Sequence, residues 1–362
     1  MQGKTDWDTA KSLFDAWWKH ESKKPLIQAF SPKADVDQYY ALDGWAFLRN
    51  KGAFAQIIHE FKQFRDCTFF GGTAYPNLWL NLGPGALAAY LSNFLEFSNE
   101  QSTTWFEKTR DWDAVEAFDF DEANPWWQYT LQMAEAAAPN APGAFILATT
   151  DIGGNLDVLA SLRGTQELLM DLVLEPERIT QMLSRIDDTW ERVYTQLDQI
   201  IRGHGQDGTA AWMGLWCPER WYPLQCDFSA MISPHDFERF VIPSLVRHCR
   251  FLDKSIFHWD GPGQIPHLDL LLDIPELDGI QWVPGSGNPQ CENPCWYPLY
   301  EKILAKNKLL ILQCFDDNKN IPTMLQVFQN PNILISTWYP TENEAQDLLE
   351  FGDQVMTLST GR

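Results

Sequence analysis

His258 and Asp260 stand two residues apart at the end of the run Ser255-Ile256-Phe257-His258-Trp259-Asp260, immediately before Gly-Pro-Gly. Side chains along an extended segment alternate between faces, so this imidazole and this carboxylate share one face. Burying both without partners would be costly, which favours a working site over inert core. Two chemistries suit the pair. Both groups can ligate a metal, since a carboxylate is an accepted zinc donor beside imidazole. Without a metal, a histidine beside an anion has a raised pKa and can act as general acid or base near neutral pH. A two-histidine, one-carboxylate iron site would need His267, the only histidine downstream, which falls seven residues beyond Asp260 on the following helix.

Other polar groups collect where apolar runs end: Asp151 with Asn155, Cys226-Asp227, Gln281, and Gln313-Cys314. Asp151 and Asp227 join His258 and Asp260 as candidate proton carriers, while Asn155, Gln281 and Gln313 are candidate substrate contacts. Cys314 could complete a metal site with His258 and Asp260. Among the 17 tryptophans, Trp212, Trp259 and Trp282 lie near the same run ends. They could line a broad apolar pocket for a methylated ammonium group, held by cation–π attraction in an acidic field. The segment CENPC (291–295) lacks a second paired motif, which weighs against zinc there. Gly-Pro-Gly at 83–85 reads as a turn and helix start.

These residues need a scaffold, and the pattern around them supplies one. The expected strands are 25–30, 67–70, 144–150, 209–215, 255–260, 279–283, 308–314 and 332–337, several almost continuously apolar, as strands buried on both faces should be. Amphipathic segments alternate with them. In EPERITQMLSRIDDTWERVYTQLDQIIRG, an apolar stripe runs from Ile179 to Ile200 between Pro176 and Gly203. Capping boxes open helices at Ser233 with Asp236 and at Thr341 with Glu344. Eight strands alternating with helices predict an α/β fold, a (β/α)8 barrel, whose sites form where strands run into loops. No GxGxxG follows an early strand, which disfavours an open dinucleotide-binding sheet. Residues 1–362 are expected to form a single domain with a helical extension over residues 1–24.

Composition limits the partners. The net charge of −22 argues against nucleic acid and against an anionic membrane surface. No run approaches the apolar length of a membrane span, and the N-terminus does not read as a signal peptide. Seven irregularly spaced cysteines form no disulfide framework, so a cytoplasmic protein is expected.

Four stretches, NLWLNLGPGALAAYL (77–91), DIGGNLDVLASLRGTQELLMDLV (151–173), LQCDFSAMISPHDFERFVIPSL (224–245) and HWDGPGQIPHLDLLLDIPELDGIQWVPGSG (258–287), resemble the uroporphyrinogen decarboxylase family, which includes corrinoid-linked methyltransferases. The resemblance implies a (β/α)8 barrel. The family's decarboxylases grip a tetrapyrrole with an N-terminal arginine motif, but the matching PLIQAFSPKAD has no arginine. That speaks against uroporphyrinogen as substrate. The methyltransferases hold zinc with His-x-Cys at a strand end and a further Cys near the last strand. Here His258-Trp259-Asp260 takes the first place and Ser336-Thr337 the second.

The leading expectation is therefore a methyltransferase that moves a methyl group between a small substrate or thiol and a corrinoid carried by a partner protein. His258 and Asp260 would hold zinc or act as acid and base. A decarboxylase acting on a small carboxylated substrate is the alternative, and a ligand-binding member without catalysis is the third. A homodimer is implied by resemblance alone.

Overall fold

Among the described residues, thirteen strands and the helices between them follow the alternation of strand-like and helix-like stretches. The computed structural model describes residues 1–106, 108, 110–315 and 318–359. The strands are β1 (Leu26–Pro32), β2 (Thr68–Gly72), β3 (Asn77–Trp79), β4 (Glu96–Ser98), β5 (Thr103–Trp105), β6 (Ile146–Ala148), β7 (Thr209–Ala210), β8 (Trp216–Cys217), β9 (Trp221–Gln225), β10 (Lys254–Asp260), β11 (Gly279–Val283), β12 (Leu309–Cys314) and β13 (Ile333–Trp338). A seven-stranded sheet runs in the order β2-β1-β13-β12-β11-β10-β9. Every pairing in it is parallel except β1 with β2. β3 and β6 form a separate parallel pair. The main-chain N–H of Thr149 donates to Ala210 O across 3.1 Å, tying the end of β6 to β7.

The result is a mixed α/β fold around a central parallel sheet. Among the described residues, the ladder does not run unbroken through the eight strands expected from the sequence. Two expected strands are replaced. The run at 67–70 became β2, an antiparallel edge, and the short β3 supplies the parallel strand. The run at 209–215 became the β7–β8 hairpin, and β9 pairs with β10 instead. β9 contains Pro223, and a proline inside a run argues against a strand because it removes a donor from the ladder.

The helices around the sheet follow their patterns closely. Pro176–Gly203 buries Ile179, Met182, Leu183, Ile186, Trp190, Val193 and Leu197. Thr341 N donates to Glu344 Oε2 and Glu344 N to Thr341 Oγ1, so that capping box closes in both directions. At the other, the Ser233 hydroxyl accepts from Asp236 N.

Two apolar cores result from strand alternation. Phe257, Trp259, Ile280, Trp282, Leu310 and Leu312 pack outward against helices. Leu26, Ile256, Leu309, Ile311 and Leu334 face inward and pack with the N-terminal helix Trp7–Trp18. From that helix Trp18 Nε1 donates to Trp216 O at 2.9 Å, and the Trp18 and Trp221 rings lie 5.6 Å apart. Among the described residues, no helix is long and apolar enough to cross a membrane.

Candidate active site

β10 ends at Asp260, and the next residue, Gly261, turns the chain away with a φ of +81° while its N–H donates to Val283 O at 2.7 Å. Just before this turn His258 faces inward, paired in register with Gln225 on one side and Gln281 on the other. Its Nδ1 lies 2.6 Å from Gln281 Oε1. Gln281 Nε2 donates to Gln313 Oε1 at 2.6 Å, and Gln313 Nε2 donates to the Met213 carbonyl at 3.3 Å.

The direction of this relay follows from its last member. A backbone carbonyl only accepts, so Gln313 must present its amide nitrogen to Met213 and its oxygen to Gln281. Gln281 is then oriented in turn and offers oxygen to His258. The imidazole must therefore carry hydrogen on Nδ1, and the neutral ring keeps a lone pair on Nε2. Trp212 stands edge-on to this ring, with centroids 5.0 Å apart.

Asp227 reaches the same place from the loop after β9. Ligand atoms of Asp227, His258 and Asp260 all lie within 4.8 Å of one another. Asp227 is exposed and the other two are half-buried. Asp260 Oδ1 is shielded from solvent and has no hydrogen-bond partner, which is a costly state for a carboxylate oxygen. Burial raises the Asp260 pKa; His258 opposes that shift and Asp227 adds to it.

Asp227 is positioned by Asp157, which the sequence reading missed. From the first turn of the helix Asn155–Arg163, the Asp157 carboxylate accepts the N–H groups of Asp227 at 2.9 Å and Phe228 at 2.7 Å. Burial and the neighbouring Asp227 push its pKa well above the usual carboxylate range. The only signal available was an acidic residue in the first turn of DIGGNLDVLASL, and first-turn acids are common helix-stabilising features. Gly154 lets this loop approach β9, because a Cβ there would sit 1.9 Å from Gln225 O.

Asp151 lies buried behind the trio. Its Oδ1 accepts from Tyr222 OH at 3.1 Å and from Gly153 N at 2.9 Å. Desolvation raises its pKa to about 6, moderated by those two bonds and by His258, with Asp227 acting in the opposite direction.

The structure thus brings together His258, Asp260 and Asp227, with Asp151 electrostatically coupled to them and Trp212 against the imidazole. Gln281 and Gln313 are spent on orienting His258. The remaining expected residues are elsewhere. Cys314 is on the outward face of β12, away from the ligand trio, and its place beside His258 and Asp260 is taken by Asp227. Trp259 and Trp282 point into the outer core with ring centroids 4.5 Å apart, and Trp259 Nε1 donates to Gln264 O. Strand alternation requires this of Trp259: a residue between two inward side chains faces outward. Asn155 turns into the helix layer and donates to Asp187, which also accepts from Ser244 Oγ at 2.8 Å and lies 3.2 Å from His248 Nε2. His267 is buried, bonded to Ser229 O at 2.8 Å and stacked on Phe237, so it belongs to packing and not to an iron site.

A cavity of about 450 Å³ lies on the β3 side, bordered by Tyr39, Leu42, Asp43, Phe47, Phe61 and Trp79. The donor set of the trio, one imidazole and two carboxylates, suits zinc or a harder divalent ion such as iron(II) or manganese. The unpaired Asp260 oxygen is where such an ion would be satisfied.

Comparison with known proteins adds a likeness of fold. No family model and no curated protein matches this sequence. Among solved structures, a methyltransferase from Methanosarcina mazei is similar over 95% of this chain and 98% of its own, with a TM-score of 0.59 and 10% sequence identity. A likeness at that identity establishes a shared fold.

Proposed function

We propose that this chain is a methyltransferase built on a (β/α)8 barrel of the uroporphyrinogen decarboxylase type. It would work in the cytoplasm, between a small substrate or thiol and a corrinoid carried by a separate protein. The observation that carries the reading is the convergence of Asp227, His258 and Asp260 at the C-terminal ends of parallel strands, where barrel enzymes place their sites. Full-length similarity to a methyltransferase fold supports it.

Asp227, His258 Nε2 and Asp260 would hold a divalent ion, with zinc the first candidate. When bound, the ion supplies Lewis acidity that favours the deprotonated form of a substrate thiol or hydroxyl. The chain's own groups do the rest. The Gln281–Gln313 relay keeps the Nε2 lone pair aimed at the site, as outer partners of metal-bound histidines do. Asp157 fixes the loop that presents Asp227. Trp212 walls the imidazole on one side, and the −22 charge favours cationic substrates, methylated ammonium compounds among them.

Metal content of protein purified without an affinity metal, compared with His258→Ala, tests the site. Methyl exchange with free methylcobalamin across amines, ethers and thiols tests the reaction. About one ion per chain at this site, lost in the variant, together with corrinoid-dependent methyl transfer, is expected. Neither ion nor transfer after metal is restored would overturn the reading.

Asp151 favours a second reading, a lyase. A buried carboxyl with a pKa of about 6 is protonated in most molecules below pH 6 and in a minority at pH 7, and in that form could deliver a proton to a carbanion after loss of carbon dioxide. Carbon dioxide release without metal or corrinoid, abolished in Asp151→Asn, would select it.

A further inference from the structure

β12 ends in two neighbouring residues that face opposite ways. Gln313 enters the relay behind His258. Cys314 turns outward and meets Cys291 and Glu292, from the loop that follows β11. One donor atom from each, two Sγ and one carboxylate oxygen, lie within 4.8 Å of one another. All three residues are deeply buried, with Cys291 and Glu292 2% exposed and Cys314 not at all. The loop is held in this position by its own bonds. Tyr300 OH donates to Cys291 O at 2.5 Å, and Cys291 Sγ donates to Gln313 O at 3.1 Å.

We propose that Cys291, Glu292 and Cys314 bind a thiophilic divalent cation, zinc foremost, at a site separate from the His258 trio. Two sulfurs and a carboxylate are zinc donors, at about 2.3 Å and about 2.0–2.2 Å. Tetrahedral zinc places two such sulfurs about 3.8 Å apart, so the side chains need to close by about an ångström at most. Binding displaces one proton from each thiol to solvent. The dication with two thiolates and one carboxylate then carries a single net negative charge, and water takes the fourth position. Such a pairing is invisible in CENPC because the second cysteine comes from a different strand end.

The ion would clamp the loop after β11 to the end of β12. Cys314 follows Gln313 directly in the chain, so holding Cys314 fixes the strand end from which Gln313 enters the relay to His258, while the Cys291 S–H bond to Gln313 O is given up with the thiol proton. It acts as a positioning site for the inner face.

The full chain, purified reduced and without an affinity metal, is titrated with cobalt(II). The expected result is near-ultraviolet absorption from thiolate-to-cobalt charge transfer, with the strong visible bands of a four-coordinate ion, both removed by added zinc. The His258→Ala/Asp260→Asn double variant keeps the sulfur signature, while Cys291→Ser and Cys314→Ser each lose it. This separates the site from the trio, whose donors include no sulfur. In denaturant just sufficient to open the fold, zinc should also slow alkylation of both cysteines of the unaltered protein, a readout independent of whether any variant folds. No sulfur–cobalt absorption in the unaltered chain would overturn the proposal. So would a Cys291–Cys314 disulfide in reduced preparations, detected as a mass lower by two hydrogens.

Discussion

On β10 the inward side chains Ile256, His258 and Asp260 alternate with the outward Phe257 and Trp259, and the two faces are under different physical control. Phe257 and Trp259 are fully buried in a dry core where volume and contact decide everything. His258 and Asp260 are half-buried, and one Asp260 oxygen is unpaired. A face that leaves a carboxylate oxygen unsatisfied is not optimised for stability. Such groups are kept where a ligand can complete them. Adjacent residues should therefore fail in different ways when altered.

The largest expected effect is on chemistry. His258→Ala should lower the rate of the proposed methyl transfer by about 10²–10⁴-fold, the range for loss of a positioned acid–base group, with little change in melting temperature. Trp259→Ala, one residue along, should do the reverse. It should destabilise the fold by about 3–5 kcal/mol in denaturant titrations, while the folded fraction keeps its rate. Equal losses of activity per folded molecule in both variants would erase the contrast between faces.

Asp151 gives the next effect, through pH. Its folded pKa of about 6 lies above the usual value of 3.8, so folding favours the protonated form. That contribution is complete below pH 3.8 and is lost as pH rises through 6. The loss amounts to about 2–3 kcal/mol for a shift of this size. Asp151→Asn retains an acceptor for Tyr222 and should flatten this part of the stability–pH curve, measured as the denaturation midpoint between pH 4 and pH 7. An unchanged slope would show that Asp151 is better solvated than its surroundings indicate.

The smallest effect is the most specific. Gln313→Leu should weaken metal binding at the trio by about 10–100-fold, as loss of an outer partner commonly does. It should also release the fixed Nδ1–H form of His258, visible in nitrogen chemical shifts. An unaltered tautomer would show that the relay follows the histidine's choice and does not impose it.

How much of this was readable in the sequence depended on range. Helix Pro176–Gly203 and the capping boxes are local patterns and appeared where expected. The shared face of His258 and Asp260 follows from a period of two. That same rule places Trp259 on the outer face, where its indole packs in the core and does not line the site. β9 was hidden by Pro223, and β3 by its length of three residues. Asp227 beside Asp260, and Asp157 beneath it, come from separate segments, and their meeting is fixed by tertiary structure alone. Cys314 illustrates the converse. It sits at the correct strand end but on the opposite face from His258.

The N-terminal helix has a kinetic consequence. Trp7, Phe14, Trp17 and Trp18 pack with Leu26, Ile256, Leu309 and Leu334, so the inner face is sealed at the end where the strands begin. In the proposed barrel, whose interior is filled by these side chains, this leaves only the mouth at the C-terminal strand ends open. If the proposed carrier protein docks over that mouth, a small molecule must enter before it docks and leave after it departs, so turnover should follow a compulsory order of addition. Carrier concentrations high enough to occupy the empty enzyme should then slow the reaction.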